Sequence, residues 1–418
     1  MKILQILRHT LFAVIAFACI TGVFVYTFFI KEQETVSLFE NRNLATKESI
    51  AETSFMDTTF QDSIEDVLAD QFYQRQRIVE EKKQFDRAVE LVVFGENTDD
   101  LVLTKMGDTS IYQLGSSNYM MNGLMTYDEN IEKCIMNRIE QINNIAYDYP
   151  DIEFYLYRPV QGYETSLFDE INNVESYGEH YNQLFVDHLQ IPVDFLDIES
   201  VEMYKELFFS SDHHWNYRGA YQGYSDIMNL MGMGNEILEP KSIFCHPNAT
   251  FYGTYSTRTA NLLEPDSYCL YDIDYADAEV IVNNEVIEDI LNPKYYIEHS
   301  DEYASNPYEY HYNKSFENYT PYVQYRTDKT NKKNILVIGD SYSRAIANYL
   351  ASSFYNSYFV NPTDYISSTG SYFYYDSFIR DCEIDVVLFM YTIENYFAVD
   401  AQWGDIYKNF DVHRNPGE

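Results

Sequence analysis

The longest uncharged stretch of the chain lies close to its start. Residues 10–30 carry no Asp, Glu, Lys or Arg. A helix of that length spans roughly 31 Å, the thickness of the hydrocarbon core of a bilayer. Lys2 and Arg8 precede it, so by the positive-inside rule we expect a single-pass anchor in the cell membrane, with the chain beyond it extracytoplasmic. A cleaved signal, or a lipoprotein signal ending at Cys19, is the alternative, but the apolar residues continue too far beyond Cys19 to favour it.

The next segment, 55–96, has apolar residues at spacings of mostly three or four, which predicts one long helix that packs against a core. The apolar stripe consists of Phe60, Ile64, Val67, Leu68, Phe72, Ile78, Val79, Phe85, Val89 and Val92. A second helix is expected to begin at a capping box made by Thr126 and Glu129 and to end near Pro150.

Farther along, short apolar strands alternate with helical segments, a pattern typical of a three-layer α/β/α domain with a mostly parallel sheet. Strands are expected at 101–103, 110–114, 152–160, 193–198, 334–338, 357–360 and 385–391, and helices at 181–189 and 343–353. The alternation breaks between about 243 and 328, a stretch rich in Tyr and Asn with a predicted hairpin at Asn283 and Asn284. We interpret this stretch as a β-rich insertion.

Charge and composition narrow the possible partners. The 418 residues include 66 acidic and 28 basic side chains, a net charge of −38, which excludes nucleic acid as the main partner. The 41 tyrosines fit a carbohydrate-facing surface, since aromatic rings pack on sugars. They also fit the ordinary use of tyrosine in core and surface positions, which we favour.

The five cysteines, Cys19, Cys134, Cys245, Cys269 and Cys382, form no CxxC pair. A zinc ribbon or a thioredoxin-like motif is therefore absent. Cys245 and Cys269 lie in the same irregular region and can pair, but we expect mostly free, buried thiols.

A reactive serine is predicted where the apolar strand at 334–338 ends in Gly339-Asp340-Ser341. Gly339 permits a tight turn, which presents Ser341 at the edge of the sheet where open α/β sheets bind ligands. A following helix would direct free N–H groups toward a developing oxyanion. Serine needs a base to act as a nucleophile, and a capping hydroxyl in a simple turn is the structural alternative.

A base and its partner are predicted in the segment Asp212-His213-His214-Trp215. A carboxylate that orients an imidazole, which then activates a hydroxyl, is the Ser-His-Asp arrangement. Two alternatives stay open, a hydrogen-bonded structural corner and a zinc site. The zinc site is disfavoured because adjacent histidines on a short loop rarely face the same ion. We expect no metal and no cofactor.

These residues resemble the signature of the DHHW family, which is related to the alginate O-acetyltransferases of the SGNH hydrolase-like group. Further segments fit this resemblance: Glu40-Asn41-Arg42 with Leu44, Asp70-Gln71-Phe72, Phe251-Tyr252-Gly253 and Gly339-Asp340-Ser341. The resemblance implies an SGNH-like fold with permuted motif order, because the Asp/His motif precedes the serine. The expected domains are a cytoplasmic stub with the anchor (1–31), a stalk with the long helix (32–98), and an SGNH-like catalytic domain (99–418) whose insertion at 243–328 lies near the mouth of the active site.

By the same resemblance, Ser341 would be the nucleophile, His214 the general base and Asp212 its orienting carboxylate. Relatives pass acetyl groups to hydroxyls of exopolysaccharides, often beside a membrane-bound O-acyltransferase that supplies the acyl group. The implied function is an extracytoplasmic O-acyltransferase acting on a cell-surface glycan. A carbohydrate acetyl esterase with the same triad and a noncatalytic glycan-binding subunit are the alternatives.

For the other polar residues near these motifs, we favour a structural role over a catalytic one. Asp340 is expected to be a buried turn carboxylate. Arg158 and Arg344 are candidate oxyanion donors, but we favour a surface or structural salt bridge for each. No Gly-x-Asn-Asp block is found, so the remaining oxyanion donors are not predicted. His213 receives no role.

Overall fold

The computed structural model describes residues 2–37, 39–40, 42–51, 58–95, 97–107, 109–260, 263–287, 293–303, 312 and 321–397. The chain forms two compact units. The first comprises Met1–Gly95 with Ser256–Leu262, and the second comprises Glu96–Tyr255 with Leu263–Glu418.

The first unit is mainly helical. Its helices are α1 (Lys2–Val25), α2 (Lys47–Ala51), α3 (Thr58–Gln71) and α4 (Arg75–Phe94), with a π-helical turn at Tyr26–Ile30 and a strand pair, β1 (Val36–Ser37) and β2 (Arg42–Asn43). Within α1, Arg8–Val25 has a mean hydropathy of 1.8 and is long enough to cross a membrane. It is the one helix with these properties in the described part of the chain.

The prediction of one helix over 55–96 is wrong, because the chain breaks between α3 and α4. Gln74 has a φ of 56°, which a continuous helix does not allow. The side chain of Gln71 is buried and donates to the carbonyls of Glu34 at 2.8 Å and Ala45 at 2.9 Å. Asp70 accepts from Arg42 at 2.9 Å and from the Ala45 N–H at 2.8 Å. These bonds tie the end of α3 to residues 34–45, so the Asp-Gln-Phe segment serves structure. Asn41 of the matching Glu-Asn-Arg segment lies outside the described residues.

The predicted packing of the apolar stripe also fails along α4. Phe85 is 68% exposed and Val92 is 86% exposed, whereas Val67 of α3 is buried. The periodicity therefore identified an amphipathic helix correctly, but its apolar face is not part of the core.

The second unit has thirteen strands among the described residues, and eight of them form one large sheet. Its strands are β3 (Leu103–Lys105), β4 (Ile111–Leu114), β5 (Met120–Asn122), β6 (Glu153–Arg158), β7 (Val193–Phe195), β8 (Ser242–Phe251), β9 (Asp266–Asp272), β10 (Ala278–Val282), β11 (Glu285–Val286), β12 (Val323–Thr327), β13 (Ile335–Gly339), β14 (Asn356–Val360) and β15 (Val386–Met390). The large sheet has the order β11-β10-β12-β14-β13-β15-β6-β7. Strands from β14 to β7 in this order run parallel, and β10, β11 and β12 add an antiparallel edge. The predicted α/β class with a mostly parallel sheet is confirmed.

Helices flank this sheet. The helices after α4 in the chain are α5 (Glu129–Asp148), α6 (Asp169–Asn172), α7 (Gly178–His188), α8 (Val201–Leu207), α9 (Tyr217–Leu230), α10 (Thr254–Arg258), α11 (Pro293–Glu298), α12 (Ser300–Tyr303), α13 (Tyr342–Ala345), α14 (Ala347–Ala351), α15 (Pro362–Thr369), α16 (Tyr375–Asp381) and α17 (Glu394–Phe397). Among these, α10 has residues in both units, α11 packs on β8 and β9, and α12 packs on β8. Every residue of β13, β14 and β15 is buried, so both faces of the sheet centre are covered. The predicted cap of α5 is corrected, because the N-cap is Asp128, whose carboxylate accepts from the Asn130 N–H at 2.7 Å.

The stretch interpreted as an insertion is rich in strands, and part of it joins the main sheet. Asn283 and Asn284 have φ values of 52° and 65° and turn the β10–β11 hairpin, as predicted. Strands β8 and β9 form a separate hairpin, in which Cys245 lies opposite Cys269 with 4.5 Å between their Cα atoms. That separation suits a disulfide, which these two residues form. The expectation of mostly free, buried thiols is therefore wrong for this pair.

Candidate active site

The first predicted site residue, Ser341, lies directly beyond the carboxyl end of β13. Gly339 closes this strand, and a Cβ there would lie 2.6 Å from the carbonyl oxygen of Met390 on the neighbouring β15. Glycine is thus needed because two backbones approach closely, and its φ is not in the left-handed region. Ser341 follows at the start of α13 and is half-buried.

Asp340 holds the turn that carries the serine. Its Oδ1 accepts from the Tyr342 N–H at 3.0 Å, and its Oδ2 accepts from Thr392 N–H at 2.8 Å and Asn395 Nδ2 at 2.9 Å. Burial raises the pKa of Asp340, against the effect of these donors. The carboxylate is therefore buried in the turn, where it joins the loop after β13 to the loop after β15.

Asp212 and His214 are brought to the serine by the loop between α8 and α9. His214 Nε2 lies 2.7 Å from Ser341 Oγ, and His214 Nδ1 lies 2.5 Å from Asp212 Oδ1. Both Asp212 and His214 are buried. The three side chains form a continuous hydrogen-bonded series, although 127 residues separate the histidine from the serine.

Electrostatics keep the carboxylate of this series ionised. Burial alone would raise the pKa of Asp212, but His213 and His214 and the hydrogen bonds from His214 and the Thr254 N–H lower it overall. The second imidazole, His213, lies over His214 with 3.9 Å between ring centroids. Burial and the neighbouring His214 lower the pKa of His213 to about 4, so this ring is neutral at pH 7. On its other face, His214 stacks on Tyr312 at 3.7 Å between centroids.

Gly253 makes room for the Asp212 carboxylate. A Cβ at this position would lie 2.3 Å from Asp212 Cβ and 2.5 Å from the Ser211 carbonyl oxygen. The Gly253 N–H donates to Ser211 Oγ at 3.0 Å, and the Thr254 N–H donates to Asp212 Oδ2 at 2.7 Å. The Phe251-Tyr252-Gly253 segment noted in the sequence is therefore the support of the Asp212 loop.

Asp266, at the start of β9, is a supporting residue that sequence reasoning missed. Its two carboxylate oxygens accept four hydrogen bonds, from the N–H and hydroxyl groups of Ser210 and Ser211, at 2.5–2.9 Å. Burial raises the pKa of Asp266, against the effect of the serine donors. The adjacent serines before Asp212 were the available signal, because two consecutive buried hydroxyls require an acceptor.

Trp215 connects the same loop to α9. Its indole is buried, and a Cβ at Gly223 would lie 2.4 Å from it, while a Cβ at Gly219 would lie 2.8 Å from Trp215 Cβ. The two glycines thus form a slot on α9 for Trp215, in which Gly223 admits the indole and Gly219 admits Trp215 Cβ and the Leu207 carbonyl oxygen, 2.3 Å from an added Cβ. Asn216 caps the helix by accepting from the Arg218 N–H at 2.8 Å.

The two arginines considered in the sequence are both paired with acids. Arg158 and Glu164 are fully buried and form an ion pair at 2.5 Å, and Arg344 pairs with Asp364 at 2.6 Å. Burial raises the pKa of Glu164, and the Arg158 charge opposes that rise.

A metal requires ligand atoms close together, and Asp212, His213 and His214 meet that distance condition, within 4.8 Å of one another. However, Nδ1 of His214 faces Asp212 and its Nε2 faces Ser341. A metal at His214 would have to replace one of these bonds. The arrangement therefore suits proton transfer from a serine hydroxyl better than metal binding.

The largely parallel sheet, with a serine at the end of a central strand, is an SGNH-like fold. Residues 197–360 match the family model described as DHHW protein, which confirms the resemblance to the DHHW family.

Among solved structures, the chain is similar to PatB1 of Bacillus cereus, with 20% identity, a TM-score of 0.52, and coverage of 74% of this chain and 99% of that one. A second PatB1 structure, with a sulfonyl adduct, matches with 19% identity, a TM-score of 0.51, and coverage of 70% and 96%. A DHHW family protein from Eubacterium siraeum matches with 14% identity, a TM-score of 0.50, and coverage of 74% and 98%. No curated protein sequence matches the chain.

Proposed function

We propose that the chain is a membrane-anchored, extracytoplasmic O-acyltransferase that acetylates hydroxyls of a cell-surface glycan. The observation that carries the proposal is the Ser341–His214–Asp212 series, with separations of 2.7 and 2.5 Å. The resemblance to the DHHW family and its relation to polysaccharide O-acetyltransferases indicate acyl transfer as the reaction.

In the first half-reaction, Ser341 Oγ attacks the carbonyl carbon of an acyl donor while His214 Nε2 removes the hydroxyl proton. Asp212 keeps the other ring nitrogen protonated and stabilises the imidazolium. The Ser341 N–H, next to the attacked carbon, supplies one oxyanion donor. His214 then returns the proton to the leaving group, and an acetyl ester on Ser341 remains.

In the second half-reaction, His214 removes the proton of a glycan hydroxyl, and the hydroxyl oxygen attacks the ester carbon. The bond from this carbon to Ser341 Oγ breaks, and His214 returns the proton to Ser341 Oγ. Water in the same position would make the chain an esterase, so the acceptor decides between these two activities. A membrane-bound O-acyltransferase is the proposed source of the acyl group.

The proposed location outside the cytoplasm rests on two observations. Arg8–Val25 is long and apolar enough to span a membrane. The Cys245–Cys269 disulfide is typical of oxidising compartments.

The test is the intact mass of the full-length protein in detergent after incubation with p-nitrophenyl acetate, and separately with a sulfonyl fluoride. A single adduct on Ser341 is expected, lost in Ser341→Ala and in His214→Ala. Ser343→Ala is the matched control and should keep the adduct, because the Ser343 hydroxyl donates to the Asp340 carbonyl at 2.7 Å, whereas His214 contacts Ser341. Labelling that persists in folded Ser341→Ala would contradict the proposal, and absence of any adduct together with glycan binding would favour a binding subunit.

A further inference from the structure

The loop after β15 brings one more carboxylate to the edge of the sheet where Ser341 lies. Thr392 and Asn395 both donate to Asp340, at 2.8 and 2.9 Å, and Asp340 immediately precedes Ser341. Glu394 lies between these two anchors. Its backbone is therefore held close to Asp340, in the turn that carries Ser341, by bonds on both sides.

Within the described residues, only one of the two oxygens of the Glu394 carboxylate accepts hydrogen bonds. Oε1 accepts from the Tyr163 hydroxyl at 2.9 Å and lies 3.5 Å from Asn122 Nδ2. Among the residues that the structure describes, none donates to Oε2, and Glu394 is exposed. An exposed carboxylate oxygen with free lone pairs accepts hydrogen bonds from hydroxyl or ammonium groups.

The charges around this carboxylate are not compensated. Arg158 and Arg344, the arginines considered near the motifs, are bound to Glu164 and Asp364. Within the described ranges, no Lys, Arg or His forms an ion pair with Glu394. The net charge of −38 adds a field of the same sign.

We propose that Glu394 is a specificity-determining residue, which receives a hydroxyl or amino group of the acceptor sugar and disfavours acceptors that carry a carboxylate or phosphate beside the acetylated hydroxyl. The inference rests on the proposed acyl transfer and names its substrate class, neutral or amino-bearing glycans. Glu394 acts in the second half-reaction, where the ester on Ser341 passes to the sugar hydroxyl and the hydroxyl proton passes to His214.

The experiment uses the full-length protein in detergent, p-nitrophenyl acetate as donor, and three acceptors that share a pyranose ring: methyl glucoside, glucosamine and glucuronic acid. Acetylated sugar is quantified by mass spectrometry. We expect kcat/KM for the first two acceptors to exceed that for glucuronic acid by about tenfold, as one like-charge contact near a surface would produce. Glu394→Gln should reduce this ratio severalfold, mainly through the KM of the acceptors, and Glu394→Lys should reverse it. Tyr163→Phe, which removes the donor to Oε1, should change the ratio in the same direction by less.

Glu140→Gln, an exposed acid on α5, is the matched control and should leave the ratio unchanged. An unchanged ratio in folded Glu394→Gln and Glu394→Lys, or a preference of the unaltered protein for glucuronic acid, would overturn the inference. Transfer to none of the three sugars above the rate of hydrolysis would also overturn it. Absence of any adduct on Ser341 would overturn the proposed function itself, which separates that failure from a failure of the inference alone.

Discussion

Replacement of Gly253 by alanine tests how closely the triad depends on its support. The added Cβ would lie 2.3 Å from Asp212 Cβ and 2.6 Å from Asp212 Oδ2. Non-bonded carbon atoms separate by about 3.5–4.0 Å, so one of the two backbones has to move by more than about 1 Å. The three hydrogen bonds from residues 253–255 to Ser211 and Asp212 oppose that movement, at 2.7–3.0 Å.

Gly253→Ala is expected to lower both the stability of the protein and the rate of acylation of Ser341. Overpacking of a tight site costs about 1–3 kcal/mol, which should lower the midpoint of thermal unfolding. A displacement of about 1 Å in a positioned catalytic group reduces rates by about 10²-fold. Because Asp212 orients His214 through a 2.5 Å contact, acylation of Ser341 by p-nitrophenyl acetate should fall by about that factor.

Thermal unfolding and the rate of adduct formation are measured on the same preparations. Gly370→Ala is the control, since its φ of 69° costs stability while no heavy atom lies within 4 Å of the added Cβ. Gly370→Ala should therefore lose stability without losing acylation rate. Gly253→Ala with an unchanged acylation rate would show that Asp212 does not depend on this contact, and the reasoning would be refuted.

Three further predictions concern the supports of the site. Asp266→Asn should lower the free energy of unfolding by about 2 kcal/mol and slow acylation of Ser341, because the amide NH₂ group would face serine groups that also donate. Equal stability of the two proteins in denaturant titrations would contradict this. Replacement of both Cys245 and Cys269 by alanine removes a disulfide between residues 24 positions apart, and should lower the free energy of unfolding by about 3.5 kcal/mol. Thermal unfolding measures the effect, and Cys134→Ala is the control that should leave it unchanged. His213 has a folded pKa of about 4 against an ordinary 6.5, so the unfolded state binds its proton first and stability should fall as pH decreases from 6.5 to 4. The stability of His213→Asn should fall less over that pH range. Parallel curves of stability against pH for the two proteins would argue against the lowered pKa of His213.

The sequence predicts the parts of this site that depend on local pattern. The strand before Gly339 and the Asp-His-His segment pointed to Ser341, Asp212 and His214 as candidates, and the structure brings their side chains together. Asp266 could not be found in this way, because its hydrogen-bond donors lie 55 and 56 residues earlier. The adjacent serines indicate that an acceptor is needed, but not which residue supplies it. Long-range contacts of this kind carry no periodic signal.

The same limit explains the errors in the fold. The apolar stripe has gaps of six residues between Phe72 and Ile78 and between Val79 and Phe85, so the spacing alone does not show which gap ends α3. The break depends on the buried side chain of Gln71, which bonds to backbone more than 25 residues earlier. Strand β12 likewise joins the sheet through pairing with β14, which no local pattern near residue 323 indicates.

The slot for Trp215 has a consequence for how related chains should be recognised. The first three residues of the Asp-His-His-Trp signature contribute the acid and the imidazoles, whereas Trp215 packs on α9. That packing requires small residues at positions 219 and 223, where an added Cβ would lie 2.8 Å and 2.4 Å from Trp215. A chain with the four letters but bulky residues at those two positions would keep the signature and lose the alignment. Gly219, Gly223 and Gly253 are therefore better markers of a working site than the signature alone.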